Sequence, residues 1–101
     1  MPQPSELSKV LQIVRDHIPD LRRRYGVHSL AIFGSVARGD ALEGSDLDLL
    51  VQFESDPPGL LRFLEMEQYL SYLLHAKVDL VMESALKPGL RDRILGEAIA
   101  A

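Results

Sequence analysis

The sequence contains no cysteine and no tryptophan. Without thiols there is no disulfide scaffold, no Cys-ligated metal and no thiol nucleophile, and nothing requires an oxidising compartment. No apolar run is long enough to cross a bilayer. The opening Met1-Pro2-Gln3-Pro4-Ser5 lacks the basic stretch and apolar run of a secretory leader, so cytoplasmic residence with no membrane contact is the expectation. Positive charge is scarce: 11 Lys and Arg stand against 15 Asp and Glu, for a net charge of −4. A broad electrostatic grip on nucleic acid is not expected from such a chain. The one basic run, Arg22-Arg23-Arg24, reads as a solvated helix end, where cations are favoured. Neither glycine-rich nucleotide signature, GxxxxGK[ST] or GxGxxG, is present.

What remains is an ordinary globular composition, with 47% apolar and 26% charged residues in 101. That length suits a single domain over residues 1–101 with a modest core. Leu7, Val10, Leu11, Val14, Ile18 and Leu21 recur at helical spacing after Pro4-Ser5-Glu6. Pro19 predicts a kink or a break in that helix, and Gly26 ends it. Val27 to Phe33 and Ser45 to Phe53 read as strands. After the break at Asp56-Pro57-Pro58-Gly59, Leu60 to Leu74 reads as a helix burying Leu60, Phe63, Leu64, Leu70, Leu73 and Leu74. Lys77 to Met82 is a third strand. Lys87-Pro88-Gly89 leads into a short helix carrying Leu90, Ile94, Leu95 and Ala98. The order α-β-α-β-α-β-α predicts an α/β (α+β) fold, a three-stranded sheet with helices on one face and the open face or strand ends carrying the charges. His17, His28 and His75 show no metal-ligand spacing and suit surface or capping roles. Tyr25, Tyr69 and Tyr72 read as core or rim residues, and Tyr69 and Tyr72 share a helix face.

The charges that matter lie at Asp46, Asp48 and Asp79. Residues two apart on a strand share a face, so Asp46 and Asp48 point the same way, about 7 Å apart along the chain. Leu47, Leu49 and Val51 point the other way. Two such carboxylates repel unless a cation lies between them, and Mg²⁺, which prefers oxygen ligands and substrate phosphates, fits. Asp79 interrupts the apolar run Lys77 to Met82. An acid there implies a cation, a salt bridge to Lys77 or an edge position. Ten residues separate Ser35 from Asp46. Gly34 lets backbone approach a phosphate without a Cβ in the way. Val36-Ala37-Arg38 can start a short helix with Ser35 near its N-terminus; Ser is a favoured N-cap, and helix N-termini attract anions. Arg38 has two readings: a phosphate contact, or an anchor to Asp40 or Glu43.

The runs Phe33-Gly34-Ser35-Val36-Ala37-Arg38-Gly39-Asp40 and Ser45-Asp46-Leu47-Asp48-Leu49-Leu50-Val51 resemble the signature of the DNA polymerase β-like nucleotidyltransferase superfamily, in particular its minimal nucleotidyltransferases. The likeness extends to Asp79 and to the closing segment Leu86 to Glu97. The resemblance implies a palm-like αβ core with a small mixed sheet. It also implies Asp46, Asp48 and Asp79 as catalytic ligands of two Mg²⁺ ions, and Gly34 and Ser35 as contacts of the triphosphate. The implied reaction moves a nucleoside monophosphate onto a hydroxyl and releases pyrophosphate. In the antitoxin branch ATP is the donor, and the acceptor is a tyrosine of a partner RNase toxin of the HEPN class (higher eukaryotes and prokaryotes nucleotide-binding). A chain this small has no acceptor-binding domain, so a partner protein completes the site or is the acceptor; the helix from Leu60 to Leu74 and the final helix are candidate contacts. The competing expectation is a binding module that neutralises its partner by complex formation without catalysis.

Overall fold

The alternation of apolar and polar residues from Leu47 to Phe53 makes a strand with one face for the core and another for chemistry, and the sheet is built around it. The computed structural model describes residues 4–42 and 44–101, with side chains from Leu7 onward. Its elements are α1 (Pro4–Tyr25), β1 (Val27–Phe33), α2 (Gly34–Arg38), β2 (Leu47–Phe53), α3 (Leu60–Leu74), β3 (Val78–Met82), a 3-10 turn at Glu83–Ala85, α4 (Pro88–Glu97) and β4 (Ile99–Ala100). The mixed sheet runs β3-β2-β1-β4. β1 is antiparallel to both β2 and β4, and β2 is parallel to β3. Among the described residues no helix is long and apolar enough to cross a membrane.

The sheet thus has four strands, where the periodicity predicts three. β4 is two residues long and lies where the sequence suggests the end of a helix. Its register pairs Ala31 with Ala100 and Ile32 with Ile99, and the Ala101 N–H donates to the Leu30 carbonyl at 3.0 Å. Tertiary pairing satisfies backbone groups there that a frayed helix end would leave to water. The predicted break at Pro19 is also absent: α1 passes through it. Pro19 is exposed, so water can serve the carbonyl its missing N–H leaves free.

Leu30, Ile32, Leu47, Leu49, Val51, Val78 and Leu80 form one face of the sheet, and α1 and α3 pack onto it through Val14, Leu21, Met66, Leu70 and Leu74. The opposite face carries Ala31, Phe33, Asp48, Leu50, Asp79 and Val81, by strand alternation and register. Helices are not confined to the first face. Ile94 of α4 is buried apart from the main core and lines a cleft with Phe33 and Asp48, so α4 covers part of the second.

The buried set of α3 also differs from expectation. Phe63 is the first α3 residue packed on the core. Leu60 falls in the turn before it and is 73% exposed, and Leu64, one step round the helix, is 42% exposed. Met66 takes the central buried position instead. Tyr25 is buried and Tyr69 packs partly on the core beneath Arg24; Tyr72 is exposed. Thermal or urea unfolding is expected to separate these leucines. Leu70→Ala should cost about 3 kcal/mol, as for a fully buried leucine, and Leu60→Ala about 0.5 kcal/mol or less.

Candidate functional site

The spacing between Ser35 and Asp46 is explained by a compact excursion. At Phe33 the chain leaves β1, and Gly34, at φ +75°, turns it into the five residues of α2. Asp40 N–H donates to the Ser35 carbonyl at 3.0 Å. The return is closed by Ser45 N–H donating to the Leu42 carbonyl at 2.9 Å and Leu42 N–H to Ser45 Oγ at 3.0 Å. The chain then enters β2 opposite the strand it left, with Phe33 paired to Asp48. Ser35 lies inside α2 rather than at its N-cap; that position belongs to Phe33, and no side chain caps the helix. The Gly34 backbone conformation takes up the entry turn, and the helix starts at Gly34, two residues before Val36.

Two strands set the acids. Leu47 N–H donates to the Lys77 carbonyl at 2.8 Å, and the parallel register then pairs Asp48 directly with Asp79. Neighbouring strands lie about 5 Å apart, so these two carboxylates leave adjacent positions on one face. β3 is the sheet edge, and Asp79 is exposed, which agrees with the edge position among its expected settings. Asp46 lies just ahead of β2, two residues before Asp48, and is partly buried. Burial pushes the Asp48 carboxyl above its ordinary range, and the negative charges of Asp79 and Asp46 add to this. Arg38 acts in the opposite sense and Glu97 in the same one. Asp48 therefore feels its own burial, both other acids, a cation and a fourth acid at once.

Gly34 lies against this carboxylate. A Cβ at Gly34 would stand 2.1 Å from Asp48 Oδ2, so the turn and the acid fit together only with glycine. Arg38 of α2 donates to Glu97 at 3.1 Å and to Asp40 at 3.3 Å. Glu43, the other anchor considered for it, lies outside the described residues. Gly34, Ser35, Arg38 and Asp48 line a cleft of about 360 Å³ together with Phe33, Leu90, Arg93, Ile94 and Glu97. Sequence spacing alone does not assign the α4 residues to this cleft. Leu90, Arg93, Ile94 and Glu97 fall at helical spacing and so share a face, but nothing in the sequence says what that face meets. A larger hollow of about 890 Å³ lies toward the other end of β2, between Gln52, Glu54, Glu83 and Arg91. It contains none of the three acids, and its buried Glu83 is already satisfied by Arg91 at 3.0 Å.

Among the described residues no three Asp, Glu or His side chains form a ready-made metal cage. The donor chemistry nevertheless suits a hard divalent cation. Carboxylate oxygens are its preferred ligands, and the Asp48 carboxyl, raised first by burial and then by the charges of Asp79 and Asp46, is one whose charged form a cation would favour.

This combination of a four-stranded mixed sheet, a Gly-Ser turn after the first strand and paired acids on the next is that of a nucleotide-transferring fold. The chain belongs to the nucleotidyltransferase domain family, whose model matches residues 14–101. It is similar to the protein adenylyltransferase MntA of Thermococcus cleftensis, with 46% identity over 93 residues, covering 92% of this chain and 93% of that protein. A solved chain described as a candidate minimal nucleotidyltransferase superposes with a TM-score of 0.74 at 44% identity, covering 90% of this chain and 92% of that one. A chain from the crystal structure of a toxin–antitoxin with AMP-PNP gives a TM-score of 0.68 at 25% identity, covering 92% of this chain and 69% of that one.

Proposed function

We propose that this chain transfers AMP from ATP to a hydroxyl, a tyrosine, of a partner HEPN-type RNase toxin in the cytoplasm, and so acts as its antitoxin. The observation that carries the reading is the register of Asp48 with Asp79 beside a turn whose Gly34 leaves no room for a Cβ against Asp48. The similarity to a protein adenylyltransferase supports the reaction class, and the similarity to a toxin–antitoxin chain supports the kind of partner. Asp46, Asp48 and Asp79 would hold Mg²⁺, two ions in the full site, which supplies charge neutralisation for the phosphates and for the departing pyrophosphate.

The rest of the work falls to the chain's own groups. Gly34 allows the phosphates close to the backbone, and Ser35 offers its hydroxyl at the same wall of the cleft. Arg38 stands ready to exchange a carboxylate partner for a phosphate oxygen. Asp79, exposed at the sheet edge, is accessible to an incoming hydroxyl and takes its proton as the new O–P bond forms and the bond to pyrophosphate breaks. Positioning is the main contribution, as phosphoryl chemistry demands little covalent help from a protein. Leu60 and Leu61, 73% and 82% exposed, give α3 an apolar end suited to a partner surface.

Intact-mass spectrometry of the co-purified partner after incubation with ATP and Mg²⁺ provides the test. Increments of one or more AMP units that disappear with EDTA are the expected result. A tight complex whose partner stays unmodified would instead make the chain a binding module.

A further inference from the structure

The cleft between α2 and α4 contains two arginines, and among the described residues one of them is in an ion pair. Arg38 is held by Glu97 and Asp40. Arg93 lines the same cleft and takes part in no ion pair among the described residues. Resting on the nucleotidyltransferase reading above, we infer that Arg93 grips the β- and γ-phosphates of the nucleoside triphosphate, and that the Arg38–Glu97 pair is the resting form of a second grip that opens when the triphosphate displaces Glu97.

The reacting α-phosphate must sit beside Asp48, because that is where the acids converge. Asp48 and Gly34 line the same cleft as Ser35, Arg38, Arg93 and Glu97. The remaining two phosphates have the rest of this cleft available, and its volume of about 360 Å³ lies in the range of small-molecule sites. Ile94, buried at 7% exposure, fixes the face of α4 on which Arg93 and Glu97 lie. Arg93 and Glu97 are four apart and within reach of each other on the helix. The structure instead pairs Glu97 with Arg38, and Arg93 has no carboxylate partner among the described residues. Guanidinium forks match phosphate oxygens in pairs. The Arg38–Glu97 bridge is half-exposed on its arginine side, and pairs of this kind hold weakly in water. A polyphosphate carrying several charges can therefore take Arg38 from a single carboxylate. Assigned to the β- and γ-phosphates, Arg93 distinguishes triphosphate from monophosphate, since AMP lacks both.

The full-length chain is titrated calorimetrically in Mg²⁺ with a non-hydrolysable ATP analogue and, separately, with AMP. Arg93→Ala should weaken the triphosphate by roughly tenfold, the loss of a charge-assisted contact, and leave AMP within about twofold. Arg93→Lys should fall between. Glu97→Gln should tighten the triphosphate by about two- to threefold, because the internal competitor loses its charge. Arg23→Ala, which changes net charge equally at a remote helix end, should change neither. Unchanged triphosphate affinity in Arg93→Ala, or an equal loss for AMP, overturns the assignment while leaving nucleotide transfer intact. A wild-type chain that binds neither nucleotide and modifies no partner brings down the parent reading, and this one with it.

Discussion

Asp48→Asn is expected to abolish AMP transfer and, in the same protein without metal, to raise the melting temperature. The two effects share one cause. Asp48 is held above its ordinary range, first by burial and then by the charges of Asp79 and Asp46. Its ionised form is therefore disfavoured by the fold, and the fold keeps it for what the charge can bind. Asparagine has nearly the same shape and no charge. It relieves the repulsion among the acids and removes a proposed ligand of the divalent ions, and on that proposal transfer should fall by about a thousandfold or more. Replacing a destabilised functional group with a neutral one commonly gains stability.

The same shift gives stability a pH dependence of definite sign. A carboxyl raised in the folded state binds its proton more tightly there than in the unfolded chain. Between the ordinary carboxylate range and the raised folded value, the folded state carries more protons, so stability falls as pH rises through that window. Above the window the penalty is constant. Melting curves of the metal-free wild type from about pH 4 to neutrality should therefore contain a component that declines with pH and is missing in Asp48→Asn. Saturating Mg²⁺ should stabilise the wild type at neutral pH and do little for the variant. A metal-free Asp48→Asn protein that melts below the wild type at neutral pH would contradict the electrostatic account.

The parts of this molecule that are legible in the sequence are those whose signal is local. Strand alternation in β2 by itself separates Asp48 from Leu47 and Leu49, and the apolar run around Asp79 makes that acid conspicuous. The stripe of α1 from Leu7 to Leu21 follows the same logic. What is not legible depends on partners distant in the chain. β4 has two residues, too few for any period, and it exists because Leu30, Ile32 and their neighbours offer a free edge. The exposure of Leu60 reflects where α3 first meets the sheet, which helical spacing does not encode. Arg93 and Glu97 acquire meaning only when α4 crosses the second face of the sheet. Ser35 is not the N-cap that its residue type suggests, for a related reason: capping preference is a weak local tendency, and the positive φ of Gly34 sets the start of α2 instead.

Gly34→Ala should reduce transfer by about a hundredfold or more and lower stability by about 2–4 kcal/mol. Two separate penalties act at this position. One is the backbone: at φ +75° an L-residue with a Cβ carries about 1–2 kcal/mol of strain. The other is the contact: the new methyl would lie 2.1 Å from Asp48 Oδ2 and 3.0 Å from its Cγ, so the carboxylate must rotate away or β1 and β2 must separate. Either movement displaces the Asp48 carboxylate oxygen proposed to bind metal by an ångström-scale distance, which is the scale at which positioned phosphoryl chemistry fails. Gly26 provides the control. It has the same φ of +75°, and a Cβ there would meet nothing within 4 Å. Gly26→Ala should therefore show only the backbone penalty and retain normal transfer. Measured side by side by thermal unfolding and by labelling of the partner with radioactive ATP, the two alanines isolate the Gly34–Asp48 contact. If Gly34→Ala loses no more activity than Gly26→Ala, Asp48 is not held at the reacting phosphate by this turn, and the acids would have to be positioned by the β2–β3 register alone.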